Sequence, residues 1–503
     1  MTNDIFYDNL LSTLRLADTG FEQSVETEIL LADYDAPVFK IVKTTMDHCV
    51  TQKYITKNKL VIEGFIRLCI YYQPPAGEKL NVIGQKLPFQ RQIDITADET
   101  DNCIISVTGQ SQYVNTRPQN PTRIDVRGAY MFNVRVYSTT STKIVTAAGS
   151  PTIYCDGTQL DYFALTGQNI RQFTSEDTLA LPDNVQKIIG VHTAPSSPAV
   201  TVYKGKITAK GEIAANIFYT TTDSTQINRT VHTFAYNQII DIPAVQENHI
   251  AYATAAVTAF TVGKNGDTDR FAATMTVQLE AVTFARQQVM AVCDAFSRCY
   301  CCTKDEQSVT VDKNIITADR TFAVKFNVQT GGNCTAQHIV YELSPVKSYF
   351  EINKMTVKAK LTAHIICLNG QNEYECISHT EDVVLPWLEK CSRYDEIMLS
   401  LCCDAGSFSH NGDNVSVTVN IGATGYIIEK QPVVLLQGFE ENRDAPLADR
   451  QQALILYYGQ KGERIFDIAK QHCVSPQEIC QNNNIETQQL EKRQMLFINA
   501  FEE

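Results

Sequence analysis

The sequence contains a single tryptophan, Trp387, and it has fewer cations than anions. Its 43 Lys and Arg stand against 56 Asp and Glu, a net charge of -13. Because phosphate binding needs clustered Lys and Arg, this balance argues against a nucleic-acid surface, and equally against a polybasic membrane surface. Apolar runs are only a few residues long, as in 432–436, whereas a membrane helix needs about 20. The composition therefore predicts no nucleic-acid partner and no membrane insertion.

Signals for export and for catalysis are also lacking. The first residues, Met1 to Asp8, are acidic and contain no apolar secretory run, so we expect a cytoplasmic chain with reduced thiols. There is no nucleophile elbow, zinc-protease motif, phosphate loop or dinucleotide fingerprint. We therefore expect no enzyme, no catalytic residue, no cofactor and no metal. An enzyme whose site is built from loops of distant segments stays open as a further hypothesis.

The 16 cysteines follow no disulfide framework. Four of them cluster at Cys293, Cys299, Cys301 and Cys302, without the paired C-x2-C spacing of zinc ribbons. Incidental thiols are the favoured interpretation, and a metal site or a cross-linking site are the alternatives. Trp387 has two interpretations as well, since a lone aromatic on an expected strand packs in a core or anchors a partner.

A repeated pattern divides the 503 residues. Lys59, Lys206 and Lys354 each begin a run of alternating apolar residues, and they stand 147 and 148 residues apart. A small residue stands five positions after each lysine, namely Gly64, Gly211 and Ala359. Alternation rich in Val, Ile, Thr and aromatic residues is typical of half-buried antiparallel strands. The sequence therefore predicts a mainly β chain with three antiparallel β-sandwich-like repeats.

The expected organisation can be stated as residue ranges. The predicted bounds are 1–20 for an amino-terminal segment, 21–150, 165–297 and 308–440 for the three repeats, 441–450 for a polar linker, and 451–500 for a tail. Short helices are expected ahead of two core strands, at 36–42 and 184–189.

The tail differs in character from the repeats. It begins with an apolar strand at 454–458, and a helical stripe follows at Ile465, Ile468, Ala469 and His472. Ser475 is the expected N-cap of a second helix whose first residue is a proline. With a closing strand at 495–498, the tail is predicted to be a small α+β unit of β-α-α-β order.

The tail resembles the LysM family. The resemblance lies in Gly462-Glu463-Arg464-Ile465, Val474-Ser475, Asn483-Asn484-Ile485 and the strand from Gln494 to Ile498. It implies a shallow groove between the first strand–helix loop and the second helix–strand loop, which binds glycans containing N-acetylglucosamine. Carried over by position, the groove residues are Gly462, Glu463, Arg464 and Ile465 on one side, and Asn483, Asn484 and Ile485 on the other.

The tail departs from the LysM pattern at three places around this groove. Arg464 replaces a small threonine, Lys492-Arg493 replaces a proline–glycine pair, and Asn499 replaces the closing proline. Losing the glycine removes a residue that adopts positive φ without strain. Because the apolar frame is kept while the groove has changed, we interpret the tail as a LysM fold reused for a protein partner.

The three repeats resemble the SPOCS domain, a β-rich module of clostridial spore-coat proteins. Val25 to Asp33 and Leu181-Pro182-Asp183 match its opening, and the lysine-to-glycine strand follows in both repeats. The third repeat keeps the strand but carries Ala359. Together with one carboxy-terminal LysM domain, the resemblance implies a non-catalytic, multivalent scaffold of coat assembly on the mother-cell side of the forespore. Its expected partner is the coat ATPase or another coat protein. The alternative is a cell-wall protein that binds peptidoglycan.

Overall fold

The computed structural model describes residues 5–75, 79–95, 103–264, 270–330, 334–351, 354–388, 390–411, 413–447 and 454–499. Over these ranges the chain is mainly antiparallel β-sheet, with two short α-helices near the carboxy-terminal end. Three successive groups of strands form the bulk of the chain, and we call them repeats 1, 2 and 3.

The strands of the repeats have the following bounds. Repeat 1 contains β1 (Ile5–Leu30), β2 (Lys40–Thr56), β3 (Lys59–Gln73), β4 (Asn81–Asp94), β5 (Cys103–Asn120) and β6 (Arg123–Ala148). Repeat 2 contains β7 (Ile153–Thr178), β8 (Val185–Pro195), β9 (Ala199–Tyr203), β10 (Lys206–Thr221), β11 (Ser224–Asp241), β12 (Ile250–Lys264) and β13 (Phe271–Ser297). Repeat 3 contains β14 (Tyr300–Gln329), β15 (Cys334–Leu343), β16 (Lys347–Glu351), β17 (Lys354–Asn369), β18 (Tyr374–Val384), a 3-10 helix (Pro386–Leu388), β19 (Glu396–Cys403), β20 (Ser407–Asn411) and β21 (Asn414–Pro446).

The three lysines of the sequence pattern each begin the central strand of one sheet. β3, β10 and β17 start at Lys59, Lys206 and Lys354. Each central strand pairs on both sides, as in the order β2-β3-β4 of repeat 1. A second sheet packs on the first, in the order β1-β6-β5, and the apolar faces of both sheets share one core. The predicted antiparallel, mainly β architecture is therefore confirmed.

The small residue after the lysine leaves room for a different neighbour in repeats 1 and 2. A Cβ at Gly64 would lie 2.2 Å from the Cys49 carbonyl of β2. Gly211 pairs with Tyr236, whereas Ala359 pairs with Val383. A Cβ at position 211 would lie 2.5 Å from the Tyr236 hydroxyl, so the aromatic ring occupies the space that a side chain would take. Where the aromatic residue is replaced by valine, a methyl group fits.

Three local expectations are wrong. Residues 40–42 and 185–189 are strand, not helix, because their β-branched residues pair with β3 and β10. Trp387 lies in the 3-10 helix after β18, since Pro386 has no N–H for a ladder. Asp156 and Gly157, a residue pair typical of tight turns, lie within β7. Of the predicted linker, 441–446 belong to β21 and 448–450 lie outside the described residues.

The long strands extend beyond the sandwiches and form a shared bundle. β1, β7 and β14 pair along their length with β6, β13 and β21. Each pair has a register shift that leaves one residue unmatched, namely Leu16, Thr166 or Lys313. Such a bulge bends a strand. Each bulge divides a pair of long strands into two parts. We call the three ribbons on the side away from the sandwiches (5–15 with 137–148, 153–165 with 284–297, and 300–312 with 430–446) the trunk.

The trunk has a core to which all three repeats contribute. Leu10 and Ile144 of repeat 1 pack with Tyr162 of repeat 2 and with Val309 and Leu435 of repeat 3. A second cluster at the ends of the ribbons also draws on every repeat. The three repeats therefore pack together in one body and are not separate domains joined by linkers.

Polar side chains also join repeats that are distant in sequence. Arg15 of repeat 1 binds both carboxylate oxygens of Glu396 of repeat 3, at 2.8 and 2.7 Å. The Tyr137 hydroxyl donates to the same carboxylate at 3.0 Å. Lys53 of repeat 1 binds Glu280 of repeat 2 at 2.7 Å. Repeat 1 thus contacts both of the others.

Candidate functional site

The tail consists of β22 (Leu454–Gly459), α1 (Ile465–His472), α2 (Pro476–Asn483) and β23 (Gln494–Asn499), and β22 pairs antiparallel with β23. The predicted order of strand, helix, helix and strand is confirmed. Ile465, Ile468 and Ala469 of the predicted stripe are buried. Ser475 caps α2 by accepting from the Glu478 N–H at 3.4 Å, and Pro476 is the first helical residue.

The two loops expected to border a groove lie side by side. The Gly462 N–H donates to the Leu490 carbonyl at 2.7 Å, and the Leu490 N–H donates to the Glu463 carbonyl at 2.9 Å. The Ile465 N–H donates to the Gln488 carbonyl at 2.9 Å. Backbone bonds therefore tie the first strand–helix loop to the second helix–strand loop. Gly462 has a φ of +90°, which glycine adopts without strain.

Two of the predicted groove side chains on the first loop serve the frame of the tail. The Glu463 carboxylate accepts from the Gln460 N–H at 2.9 Å and from the Tyr457 hydroxyl at 3.3 Å. Ile465 is buried in the tail core and does not line an open surface. The Ile465 side chain is therefore not available to a ligand, and one oxygen of the Glu463 carboxylate is occupied by two internal donors.

Two of the three predicted residues at the second loop are also held internally. The Asn483 amide donates to the carbonyls of Ile479 and Phe497, both at 2.8 Å, and accepts from the Phe497 N–H at 2.7 Å. Asn483 therefore joins the end of α2 to the outer edge of β23. Asn484 is the exposed C-cap of α2 in the left-handed conformation, with a φ of 50°. Ile485 packs against the tail core.

Arg464 points toward repeat 2 and not toward the expected groove. Its guanidinium donates to the carboxylate of Asp156 on β7, and this bond raises the pKa of Arg464 above its ordinary value. Arg464 therefore fastens the tail to the trunk.

Further contacts that the sequence did not reveal join the tail to the end of the trunk. Phe466 of α1 meets Phe296 of β13 edge-on, with ring centroids 5.3 Å apart. Asp294 accepts from both Lys304 of repeat 3 and Lys470 of α1. Burial raises the pKa of Asp294, but the two lysines outweigh burial and the net pKa lies below its ordinary value. Nothing in the sequence distinguishes Asp156 and Asp294, because other charged residues, such as Asp161 and Glu280, lie on the same strands.

The structure also places Trp387 and the four clustered cysteines. Trp387 packs edge-on against Phe322, with 5.4 Å between ring centroids, and the guanidinium of Arg320 lies over its ring. The four clustered cysteines are free thiols, and only Cys301 among them is exposed. Among the described residues, no group of three or more His, Cys, Asp or Glu is placed to hold a metal ion.

A cavity of about 730 Å³ lies where the three repeats meet. Equivalent edge strands line it, one from each repeat: β5, β12 and β19. Its most buried cation, Lys53, is already bound to Glu280 and to the Ile105 carbonyl. None of the seven predicted site residues lines this cavity.

Comparison with known protein families gives a match to one family in two segments of the chain. A family model described as SipL, SPOCS domain matches residues 37–118 and 184–264. These segments span most of the strands from β2 to β5 in repeat 1, and from β8 to β12 in repeat 2. The predicted resemblance to the SPOCS domain is therefore confirmed for the first two repeats. No curated protein and no solved structure matches the chain.

In the part of the chain that the structure describes, neither α-helix is long and apolar enough to cross a membrane.

Proposed function

We propose that this chain is a non-catalytic scaffold of spore-coat assembly that docks a coat protein through its carboxy-terminal tail. The SPOCS segments at 37–118 and 184–264 support a spore-coat role. The order of SPOCS-like repeats followed by a LysM-like tail resembles the coat morphogenetic protein SipL. In this proposal the partner is the coat ATPase or another coat protein, and binding takes place on the mother-cell side of the forespore surface.

One observation carries the proposal. The tail is held on the end of the trunk by Arg464–Asp156, Lys470–Asp294 and Phe466–Phe296. A docking unit that is fixed in this way loses little orientational freedom when it binds, and pre-organisation of this kind favours affinity. The repeats then act as a rigid base that displays the tail in one orientation.

A glycan-binding function is the second candidate. The two loops of the implied groove do lie together, which favours it. Against it, the side chains of Glu463, Ile465 and Asn483 are engaged within the tail, and Arg464 is engaged with the trunk. A glycan would therefore have to bind mainly through loop backbone and Asn484.

The test compares the full-length protein with two variants in α1. Ile468→Asp places a carboxylate in the tail core, because Ile468 is buried, whereas Asp467→Asn changes an exposed neighbour. We expect Ile468→Asp to lose co-purification with the coat ATPase while Asp467→Asn keeps it. A circular dichroism melt should retain the transition of the repeats in both variants. Retained co-purification by Ile468→Asp would show that the tail is not the docking site. Saturable binding of a chitooligosaccharide that Asn484→Ala abolishes would favour the glycan function.

A further inference from the structure

The tail exposes one large apolar surface, which no role assigned so far uses. Leu454, Leu456 and Tyr458 on β22 and Met495 and Phe497 on β23 are each between 40% and 61% exposed. Leu456 is directly across from Phe497, and Tyr458 is directly across from Met495. The five side chains therefore lie on one face of the hairpin, which we call the outer sheet face. The alternate residues of the same strands, such as Leu496 and Ile498, pack on α1 and α2.

The size of the outer sheet face limits what can cover it. Large side chains of roughly 200 Å² each, exposed to this degree, leave on the order of 500 Å² of apolar surface. That is near the upper limit for a patch on a monomer, where such patches are often functional. It is less than the roughly 800 Å² per partner that a standard stable interface buries. A compact element of a partner therefore fits better than a second copy held by this face alone.

The shape of the face selects the kind of element. Two paired strands of six residues present a surface about 20 Å long and about 10 Å wide. An α-helix is about 10 Å in diameter, and about 13 residues of helix cover 20 Å. Addition of a strand at the β23 edge is obstructed, because the Asn483 side chain already binds the N–H and the carbonyl of Phe497.

Charged residues beside the outer sheet face favour one orientation of a bound helix. Lys461, Lys492 and Arg493 are exposed next to the end of the hairpin that carries Tyr458 and Met495. None of the three forms an ion pair with another described residue, although the chain as a whole has a charge of -13. A helix carboxy-terminus and acidic side chains are both stabilised next to cations.

We propose that the outer sheet face, and not the loop groove, is the docking surface of the tail, and that it binds an amphipathic helix of a protein partner with acidic residues at one end. This inference rests on the proposed docking function and assigns it a surface and a partner chemistry. Five apolar side chains take up the apolar stripe of the helix, and the three cations meet its acidic end.

The test uses a display library of random 16-residue peptides, selected on the full-length protein. Leu456→Thr combined with Phe497→Thr removes apolar area from the face while keeping residues that favour strands. Val231→Thr is the matched control, because Val231 is 54% exposed on repeat 2. We expect selected peptides to carry apolar residues at i, i+3, i+4 and i+7 with an excess of Asp and Glu. They should bind the double variant at least tenfold more weakly and the control variant equally well.

Three results of the peptide and sedimentation experiments would overturn the inference. One is selection of peptides without helical periodicity, or of none at all. Another is equal binding to the wild type and to the double variant. The third is sedimentation of the wild type as a dimer that the double variant abolishes, which would assign the face to a second copy. If the double variant keeps the coat ATPase while Ile468→Asp loses it, the surface is wrong but tail docking stands. If both variants keep it, tail docking fails as well.

Discussion

Asp312 offers the sharpest test of whether repeats 1 and 3 form one body. Its side chain is 0% exposed on β14, and its carboxylate lies 3.3 Å from the ammonium of Lys430, which is 7% exposed. The same carboxylate accepts from the Thr13 N–H of repeat 1 at 3.2 Å, and Lys430 donates to the Thr13 carbonyl. Burial raises the pKa of Asp312, and Lys430 and Thr13 act against that rise. Thr13 is thus held by both members of a buried ion pair.

The perturbation is Asp312→Asn, which removes the charge but keeps an oxygen that can accept from Thr13. Removing one partner of a buried pair costs about 3–5 kcal/mol, because the other charge is left uncompensated. The retained hydrogen bond places the expected cost near the lower limit, at about 3 kcal/mol. Since about 1.4 kcal/mol corresponds to a factor of ten, amide exchange at Thr13 should become about a hundredfold faster.

The assay is hydrogen exchange of the full-length protein, read at the peptide that contains Thr13. The double variant Asp312→Leu with Lys430→Met replaces the pair by apolar groups and should recover most of the protection. Exchange at Thr13 that changes less than threefold in Asp312→Asn would refute the argument. So would a double variant that exchanges as fast as the single one.

The remaining predictions concern pH and one close backbone approach. His338 is buried against Phe218, and burial, together with nearby His192, lowers its pKa to about 4. At pH 5 the unfolded chain therefore binds a proton at this residue that the folded chain does not. Acidification from pH 7 to 5 should lower the free energy of unfolding by about 2 kcal/mol through His338. Denaturant unfolding at both pH values should show that acidification lowers the free energy of unfolding less in His338→Phe than in the wild type. An equal decrease in the two proteins would contradict the assignment. A Cβ at Gly64 would lie 2.2 Å from the Cys49 carbonyl, so Gly64→Ala should lower the free energy of unfolding by about 1–3 kcal/mol. Gly263→Ala, which has open space around it, should change the stability by less than about 1 kcal/mol in either direction, and equal losses in the two variants would refute the steric argument.

Much of the local architecture could be predicted because it depends on short-range patterns. The lysine spacing located the three central strands at Lys59, Lys206 and Lys354. The stripe that starts at Ile465 and the cap at Ser475 located both tail helices. Periodicity and capping are properties of neighbouring residues, so a single sequence contains them.

The assembly of the repeats could not be predicted in the same way. The Arg15–Glu396 pair joins residues 381 positions apart, and neither residue is unusual in its own strand. Arg464 was expected at the lip of a groove, but it binds Asp156, 308 positions away. Polar residues at such junctions look like ordinary surface residues until the sheets are placed. The outer sheet face was missed because β22 and β23 carry apolar residues on both faces, so their sequences do not tell which face is covered.

The pairing of the long strands has a consequence for how such a chain can arise. Because β1 pairs with β6, the start of β1 lies beside the end of β6, with Ile5 opposite Ala148. Repeat 2 likewise begins at Ile153 opposite Ser297, and only residues 149–152 separate it from repeat 1. A module whose ends coincide can be duplicated in tandem within a gene without a new linker, and each copy returns the chain to the same end of the trunk. The tail follows the third repeat and packs on the end of the trunk. It therefore distinguishes one end of a body whose three repeats are otherwise built alike.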